Sequence, residues 1–546
     1  MTRRFLLSLA AVLLLQSILV ARVFTPQPHS GGDNAGYISL AYSLLDQGEY
    51  RELWDPAELP HTKYPPVLPI LLATAMLLGV KGWAGLKLIP AFSVVLAVAF
   101  TFLWARDRKG LVPALVVAAL LGLSESVLYY SQWILSDPTF LAFTMAALWA
   151  FHRGAGSVKA PGQAAEGWGE APADHRTPEN LWTAFAMVMV ALAYFTRSAG
   201  LPLAAVGFLF LTARKSWRTL VIFSVVLGVP ALLWWLRGFM IGGGEYISEF
   251  WLVDPYQPHL GTVGLGGLAQ RGWTNLVAYV FRIIPAGILG DGIPFVVPMG
   301  LGLALFSLVG WIRSLRESVG VAELFFPLYL GLILLWPEAW SGDRFSLPLL
   351  PLMFFYTVVA FGWLTASFSI RTRVLWASVF FLLVAVPSGL EWNRMARLAG
   401  SCREFTELGS PTLCLSKGQS EYFALAEWAG KNLPQGASVT TRKPRTFFVL
   451  SGVKARSIPM VQGSEEFLDR VREGGTRYLT LDALDGISGY YVYPVVAERV
   501  SSFCGMAEVG EGANTRLLGL LTPEERGEGE GPGRGLERCP PDRFRA

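Results

Sequence analysis

An α-helical polytopic membrane protein with a C-terminal extracytoplasmic α/β domain is the fold class that the sequence predicts. Three observations predict it. Hydrophobic residues make up 53% of the 546-residue chain and charged residues only 16%, with a mean hydropathy of +0.43, whereas a soluble domain averages nearer a quarter charged. Apolar runs of roughly 17–22 residues recur from Phe5 to about Leu390, each long enough to cross ~30 Å of hydrocarbon as a helix. Beyond 390 the pattern turns to short amphipathic and alternating segments, and all four cysteines lie there.

The first run, 5–24, follows Arg3 and Arg4 and has the look of a secretory leader. Cleavage after Ala21 would leave bulky Leu19 where a small residue is wanted, so the run reads as an uncleaved first helix with a cytoplasmic N-terminus. Residues 25–85 form a first external loop carrying interfacial helices. Further spans are expected at 86–105, 111–131, 138–153, 180–196, 199–213, 218–237, 293–312, 321–338, 345–366 and 374–390. Basic clusters at Arg106/Arg108/Lys109, Arg214/Lys215/Arg218, Arg313/Arg316 and Arg371/Arg373 alternate consistently if each is cytoplasmic. Two apolar segments, 65–81 and about 275–290 with Arg282 inside it, do not fit as crossings. Counting 65–81 as one would put Arg106–Lys109 outside and separate Asp33 from Asp137 across the bilayer. It therefore reads as an interfacial or re-entrant helix started by Pro65 and Pro66. About eleven crossings remain, and that odd number puts the C-terminal region outside.

Cysteine usage agrees. An even set confined to one extracytoplasmic segment, Cys402, Cys414, Cys504 and Cys539, points to disulfides. Three connectivities exist; Cys402–Cys414 with Cys504–Cys539 is preferred, and four free thiols are the alternative. Residues 391–521 read as a soluble α/β domain, with a helix over EYFALAEWAGKNLP, a strand at 437–441, a helix at 445–451, a strand near 455–460, a helix at 464–472 and a strand at 477–481. Residues 154–179 read as a flexible cytoplasmic insert and 522–546 as a mobile tail.

Phosphate-loop, dinucleotide, His-Glu-x-x-His and Cys-x-x-Cys motifs are absent. With five histidines in the chain, a His-based metal centre is not expected. The net charge of +4 carries little weight, and no nucleic-acid partner is expected. What stands out is Asp33, close behind the first membrane exit, the turn Lys63-Tyr64-Pro65-Pro66, and a second acid, Asp137, after another apolar run. Two carboxylates just outside the bilayer, at the ends of separate helices, are the arrangement expected of an enzyme acting on a lipid-linked substrate.

The stretches Asp33 with YISLAYSLLDQGEY, KYPPVLP at 63–69, SQWILSDPTFLAF at 131–143, YFTRSAGLPL at 194–203 and GDRFSLPLLP at 342–351 together resemble the GT-C superfamily of membrane glycosyltransferases. The resemblance is to the family 39-like bacterial branch, with its protein O-mannosyltransferases and lipid A aminoarabinose transferases. WAGKNLPQGASVTTRKPRTFFVLSG resembles the periplasmic domain of such enzymes. The resemblance implies a polyprenyl- or dolichyl-phosphate sugar donor, transfer on the external face to a protein, lipid or glycan acceptor, and inversion at the anomeric carbon. It also implies a bacterial inner or plasma membrane location. In that chemistry a carboxylate takes the acceptor's proton, for which Asp33 is the first candidate and Asp137 the second. Fixed cations must hold the departing phosphate, and Lys63, Arg197 and Arg344 at outer helix ends suit that task. His61, Tyr64 and Glu338 are further substrate-contact candidates.

Each residue also has a plainer reading. Asp33 suits a helix cap and Asp137-Pro138 a helix start. Lys63 suits a snorkelling lysine, Arg197 an interfacial anchor, and Arg344 a partner of adjacent Asp343 or of lipid phosphate. No cofactor is expected; a divalent metal is conceivable, but two acids supply too few ligands for a dedicated cage, so the expected transfer is metal-independent. The competing class is a transporter or lipid flippase, which would show midplane charges or matched broken helices. Neither is visible here.

Overall fold

The computed structural model describes residues 3–154, 158–159, 179–243, 245–292, 295–407, 414–509, 514–522, 524–525 and 536–539. Most of the segment read as a cytoplasmic insert and most of the segment read as a tail lie outside the described residues.

Apolar helices build the first part of the chain. Among the described residues six are long and apolar enough to cross a membrane: Arg3–Val23, Gly82–Lys109, Trp217–Met240, Leu265–Leu289, Val296–Glu317 and Ile370–Glu407. Shorter apolar helices include Val67–Leu77, Leu111–Leu123, Ser198–Ala213, Val321–Leu334 and Leu350–Leu364, and helix Ser136–Gly154 carries 19 residues. Val67–Leu77 has 11 residues and so reaches about 16 Å, half the hydrocarbon thickness. It begins behind Pro66, as the Pro pair predicts.

The segment 275–290, read as an apolar stretch that does not cross, is the second half of the 25-residue helix Leu265–Leu289, which includes a π-helical stretch at Tyr279–Ile283. Asn275 donates to Leu334 O and Trp336 O at 2.8 Å, and the Tyr279 hydroxyl to Gly342 O at 3.3 Å. One expectation changes: the last apolar helix does not stop near 390. Ile370–Glu407 is 38 residues long, about 57 Å, and is continuous across the position where the soluble region was expected to begin.

Charges gather at the two ends of the bundle. At one end Arg108 bonds Glu323 at 2.6 Å, Lys109 bonds Glu317 at 2.7 Å and Arg153 bonds Asp107 at 2.6 Å. These contacts bring the clusters at 106–109 and 313–317 together. The acids and cations singled out in the sequence meet at the other end.

The soluble domain forms a five-stranded sheet in the order Lys454–Ser457, Ser438–Thr441, Tyr478–Leu481, Thr515–Leu520, Phe503–Val509. The first three strands pair in parallel and the last two add antiparallel. Successive residues point to opposite faces, and both faces are covered. Tyr478 and Leu517 pack with Tyr422, Leu425 and Phe447, whereas Leu479 and Leu518 pack with Phe467, Val471 and Val492. The helices and strands read from 421 to 481 are all present, the first of them starting earlier, at Lys417; helix Gly486–Glu498 and the last two strands lie beyond where that reading stopped. Cys402–Cys414 and Cys504–Cys539 are the two disulfides, the preferred pairing.

The sheet's edge strand is docked rather than left open, which removes a free pairing edge. Ala455 N–H donates to Trp54 O at 2.7 Å. Lys454 pairs with Glu58 at 2.6 Å and Arg456 with Asp55 at 3.4 Å. The loop between the helices Gly32–Asp46 and Val67–Leu77 is thus the seat of the soluble domain.

Candidate active site

Asp33 occupies the first turn of helix Gly32–Asp46, whose N-cap, Gly31, makes no side-chain cap. A carboxylate is favoured there by the helix dipole, but Asp33 does not direct its oxygens to the helix. Oδ1 accepts from the Tyr64 hydroxyl at 2.7 Å and Oδ2 from Arg344 Nη1 at 3.1 Å. Burial opposes its charge, but Arg344, Arg445 and the Tyr64 hydroxyl prevail and hold the carboxyl below the usual carboxylate range. The side chain remains 36% exposed. Burial pushes the Tyr64 phenol well up, which keeps it a donor to Asp33.

Asp137 is the second residue of helix Ser136–Gly154, with Pro138 in the first turn, where a missing N–H costs nothing. Its side chain is only 3% exposed and is paired to Arg197. The other oxygen, Oδ2, is buried without a hydrogen-bond partner among the described residues. An unpaired buried carboxylate oxygen is costly, and here it belongs to a residue that lines a cavity.

That cavity has a volume of about 210 Å³. Its lining combines charged residues, Asp33, Asp137, Lys63, Arg197, Arg344 and Arg445, with aromatic ones, among them Tyr246, Tyr256, Trp336 and Trp340. Arg197 and Arg344 sit over the Phe345 ring at 4.6 and 4.8 Å, which fixes both guanidinium groups. Lys63 pairs with Glu249 at 2.5 Å and lies 5.3 Å from the Trp340 ring centre. A separate void of about 10 Å³ beside Pro285, Leu303 and Val384 is lined by apolar residues and offers no reactive group.

Six of the eight candidate residues therefore meet at one cavity: Asp33, Lys63, Tyr64, Asp137, Arg197 and Arg344. His61 does not line it. The ring is buried, with Nδ1 on Glu52 at 2.7 Å and Nε2 accepting the Tyr64 N–H at 2.8 Å, so it holds the turn that presents Lys63 and Tyr64. Glu338 is exposed and also lies outside the lining. The alternative pairing of Arg344 with Asp343 is not found, since Asp343 accepts from the Tyr130 hydroxyl at 2.8 Å. Sequence reasoning missed Tyr246, Glu249 and Tyr256 on the 245–256 stretch, and Arg445. The helix bearing Arg445 was legible, but its neighbour lies 381 residues away at Tyr64.

Among the described residues no group of three or more His, Cys, Asp or Glu side chains is placed to hold a metal ion. Both cavity acids are already matched by arginines.

The architecture has solved counterparts. The oligosaccharyltransferase AglB from Archaeoglobus fulgidus, in complex with an inhibitory peptide and a dolichol-phosphate, superposes with a TM-score of 0.55 and 14% identity, over 91% of this chain and 72% of that one. ArnT from Cupriavidus metallidurans gives 0.55 and 13% in the apo state, over 94% and 97% of the two chains. Bound to undecaprenyl phosphate, it gives 0.56 and 12%, over 95% and 98%. This chain shares the fold of these proteins. At such identities the likeness is one of fold, and no family model and no curated protein matches the sequence. The likeness covers the soluble domain as well as the helices, because more than nine-tenths of the chain is superposed.

Proposed function

We propose that the protein is a membrane glycosyltransferase that moves a sugar from a polyprenyl-phosphate donor to an acceptor on the external face of the membrane, with inversion and with Asp33 as general base. The observation that carries this reading is the cavity itself. Two carboxylates and four cations converge on it, on a fold shared with proteins solved with dolichol-phosphate and undecaprenyl phosphate. The associated topology is about eleven crossings, with the cavity and soluble domain outside a bacterial inner or plasma membrane.

The chemistry follows from the charges. The donor's phosphate gains negative charge as its bond to the anomeric carbon breaks, and Arg344, Arg197 and Lys63 are pre-positioned to stabilise it. The acceptor hydroxyl or amine gives its proton to Asp33 while attacking the opposite side of that carbon. With Arg344 and Arg445 on its carboxylate, Asp33 is held ionised and is a weak base. A phosphate arriving on Arg344 shares that cation and makes Asp33 more basic at the moment a base is needed. Asp137, with one oxygen on Arg197 and one unsatisfied, orients Arg197 and offers an acceptor to a substrate hydroxyl. The residues require no metal for these steps, and transfer is proposed to be metal-independent.

The test is mass spectrometry of products after purified protein meets a panel of polyprenyl-phosphate sugars and candidate acceptors. A glycosylated acceptor with released polyprenyl phosphate is expected. Transbilayer movement of a lipid-linked sugar without transfer would favour the flippase reading.

A further inference from the structure

We infer that Arg445, carried by the soluble domain, is a fourth ligand for the donor's phosphate, so that the cavity is complete only with that domain docked; this rests on the donor reading above. Arg445 stands in the first turn of helix Pro444–Ser451. Its guanidinium lies over the Trp54 ring at 4.9 Å and the Tyr64 ring at 5.1 Å, which orients the head towards the cavity. Nη1 is bonded to the Tyr64 hydroxyl and is 3.8 Å from Asp33 Oδ1. Arg344 meanwhile takes Oδ2 of the same carboxylate. Two guanidinium groups thus straddle one carboxylate. The Glu52 carboxylate also acts on Arg445 through space, while its hydrogen bond goes to His61.

The geometry has donors to spare. A guanidinium carries five N–H donors in a planar fork, and Arg445 makes one hydrogen bond to protein among the described residues. A tetrahedral phosphate between two arginines is the ligand that such a fork suits, since bidentate pairing exploits its planarity. Its approach is provided for in the membrane module. At Gly36, one turn beyond Asp33, an added Cβ would lie 3.0 Å from Arg445 Cδ and 3.3 Å from Tyr64, so the missing side chain makes room for the arginine stem. The docked edge strand 454–457 holds the helix in place.

The experiment is calorimetric titration of the full chain in detergent with undecaprenyl phosphate carrying no sugar. R445Q should bind it roughly ten- to a hundred-fold more weakly, as expected for losing one charge-assisted contact. R445K should fall between R445Q and wild type, since a lysine keeps the charge and loses the fork. If R445Q melts early, R445K decides the matter alone, and wild-type affinity there would overturn the inference. Unchanged affinity in a folded R445Q with slower transfer would also overturn it, making Arg445 a positioning residue for Asp33. A wild-type protein that binds no polyprenyl phosphate would instead sink the donor reading itself.

Discussion

The carboxylate of Asp33 is held by groups from three places in the chain, namely Tyr64, Arg344 and Arg445. Asp33→Asn keeps the shape but leaves two arginines facing each other. With a third of the side chain open to the cavity, the stability loss should be on the order of 1 kcal/mol. Transfer should fall ~10²–10⁴-fold in single-turnover assays of folded, donor-binding protein. Near-normal transfer would leave Asp137 as the stronger base candidate. The same environment sets a pH dependence. Because the folded carboxyl is shifted down, its stabilising contribution is present above the ordinary Asp value of about 3.9 and is lost only as pH falls through the lower folded value. The acid limb of kcat/KM, which reports the free enzyme, should therefore lie below ~3.9. That of kcat should lie higher, because bound phosphate shares Arg344; coincident limbs would contradict that coupling. Lys63 supplies a third test. Lys63→Ala removes a cation that pairs with Glu249 and leaves that acid's negative charge near the phosphate, so it should impair donor use more than the double variant Lys63→Ala/Glu249→Gln. Additive effects in that cycle would mean the pair does not act on the phosphate together.

At the scale of elements, the proposed topology turns on the short helix Val67–Leu77. It is too short to cross, and its end is apolar and open, with Leu77 and Leu78 at 75% and 81% exposure, as suits a helix lying in the headgroup layer. Single cysteines introduced at 33–64 and 339–344 should be labelled by an impermeant reagent added outside, and those at 106–109 and 371–373 protected. Outside labelling at 106–109 would restore 65–81 as a crossing. Periodicity exposed the helices and strands of 421–481 because each has one apolar stripe facing the sheet. It does not announce the π-helical stretch at Tyr279–Ile283, a change of hydrogen-bond register that leaves no mark in the residue pattern.

For the whole molecule, the soluble domain is part of the architecture and not an appendage. Its edge strand is seated on 54–58 and its helix Pro444–Ser451 reaches Asp33 and Tyr64. The first helix's exit is tied to the last long helix as well, by Gln27 to Cys402 O at 2.8 Å and Arg403 to Phe24 O at 2.8 Å. The disulfide Cys504–Cys539 closes a separation of 35 residues. Replacing both cysteines with Ser should cost the domain about 3–4 kcal/mol, read as a lower melting temperature of that domain. No change in melting would mean that the pairing of Gly505 with 537–539 suffices to hold the segment.

Composition and hydropathy alone determined that the chain is a membrane protein with a soluble α/β end, because burial in lipid demands long apolar helices whatever their packing. Local residue chemistry picked out Asp33, Asp137, Lys63, Tyr64, Arg197 and Arg344, because acids and cations at helix ends are conspicuous against an apolar background. Tertiary structure alone decided that these six share one cavity, that His61 supports a turn and Glu338 stands apart, and that Arg445 joins them. The physical reason is distance along the chain. Propensity and periodicity act over a few residues, whereas the contacts that make the site, such as Arg344 with Asp33 across 311 residues, exist only once the helices have packed.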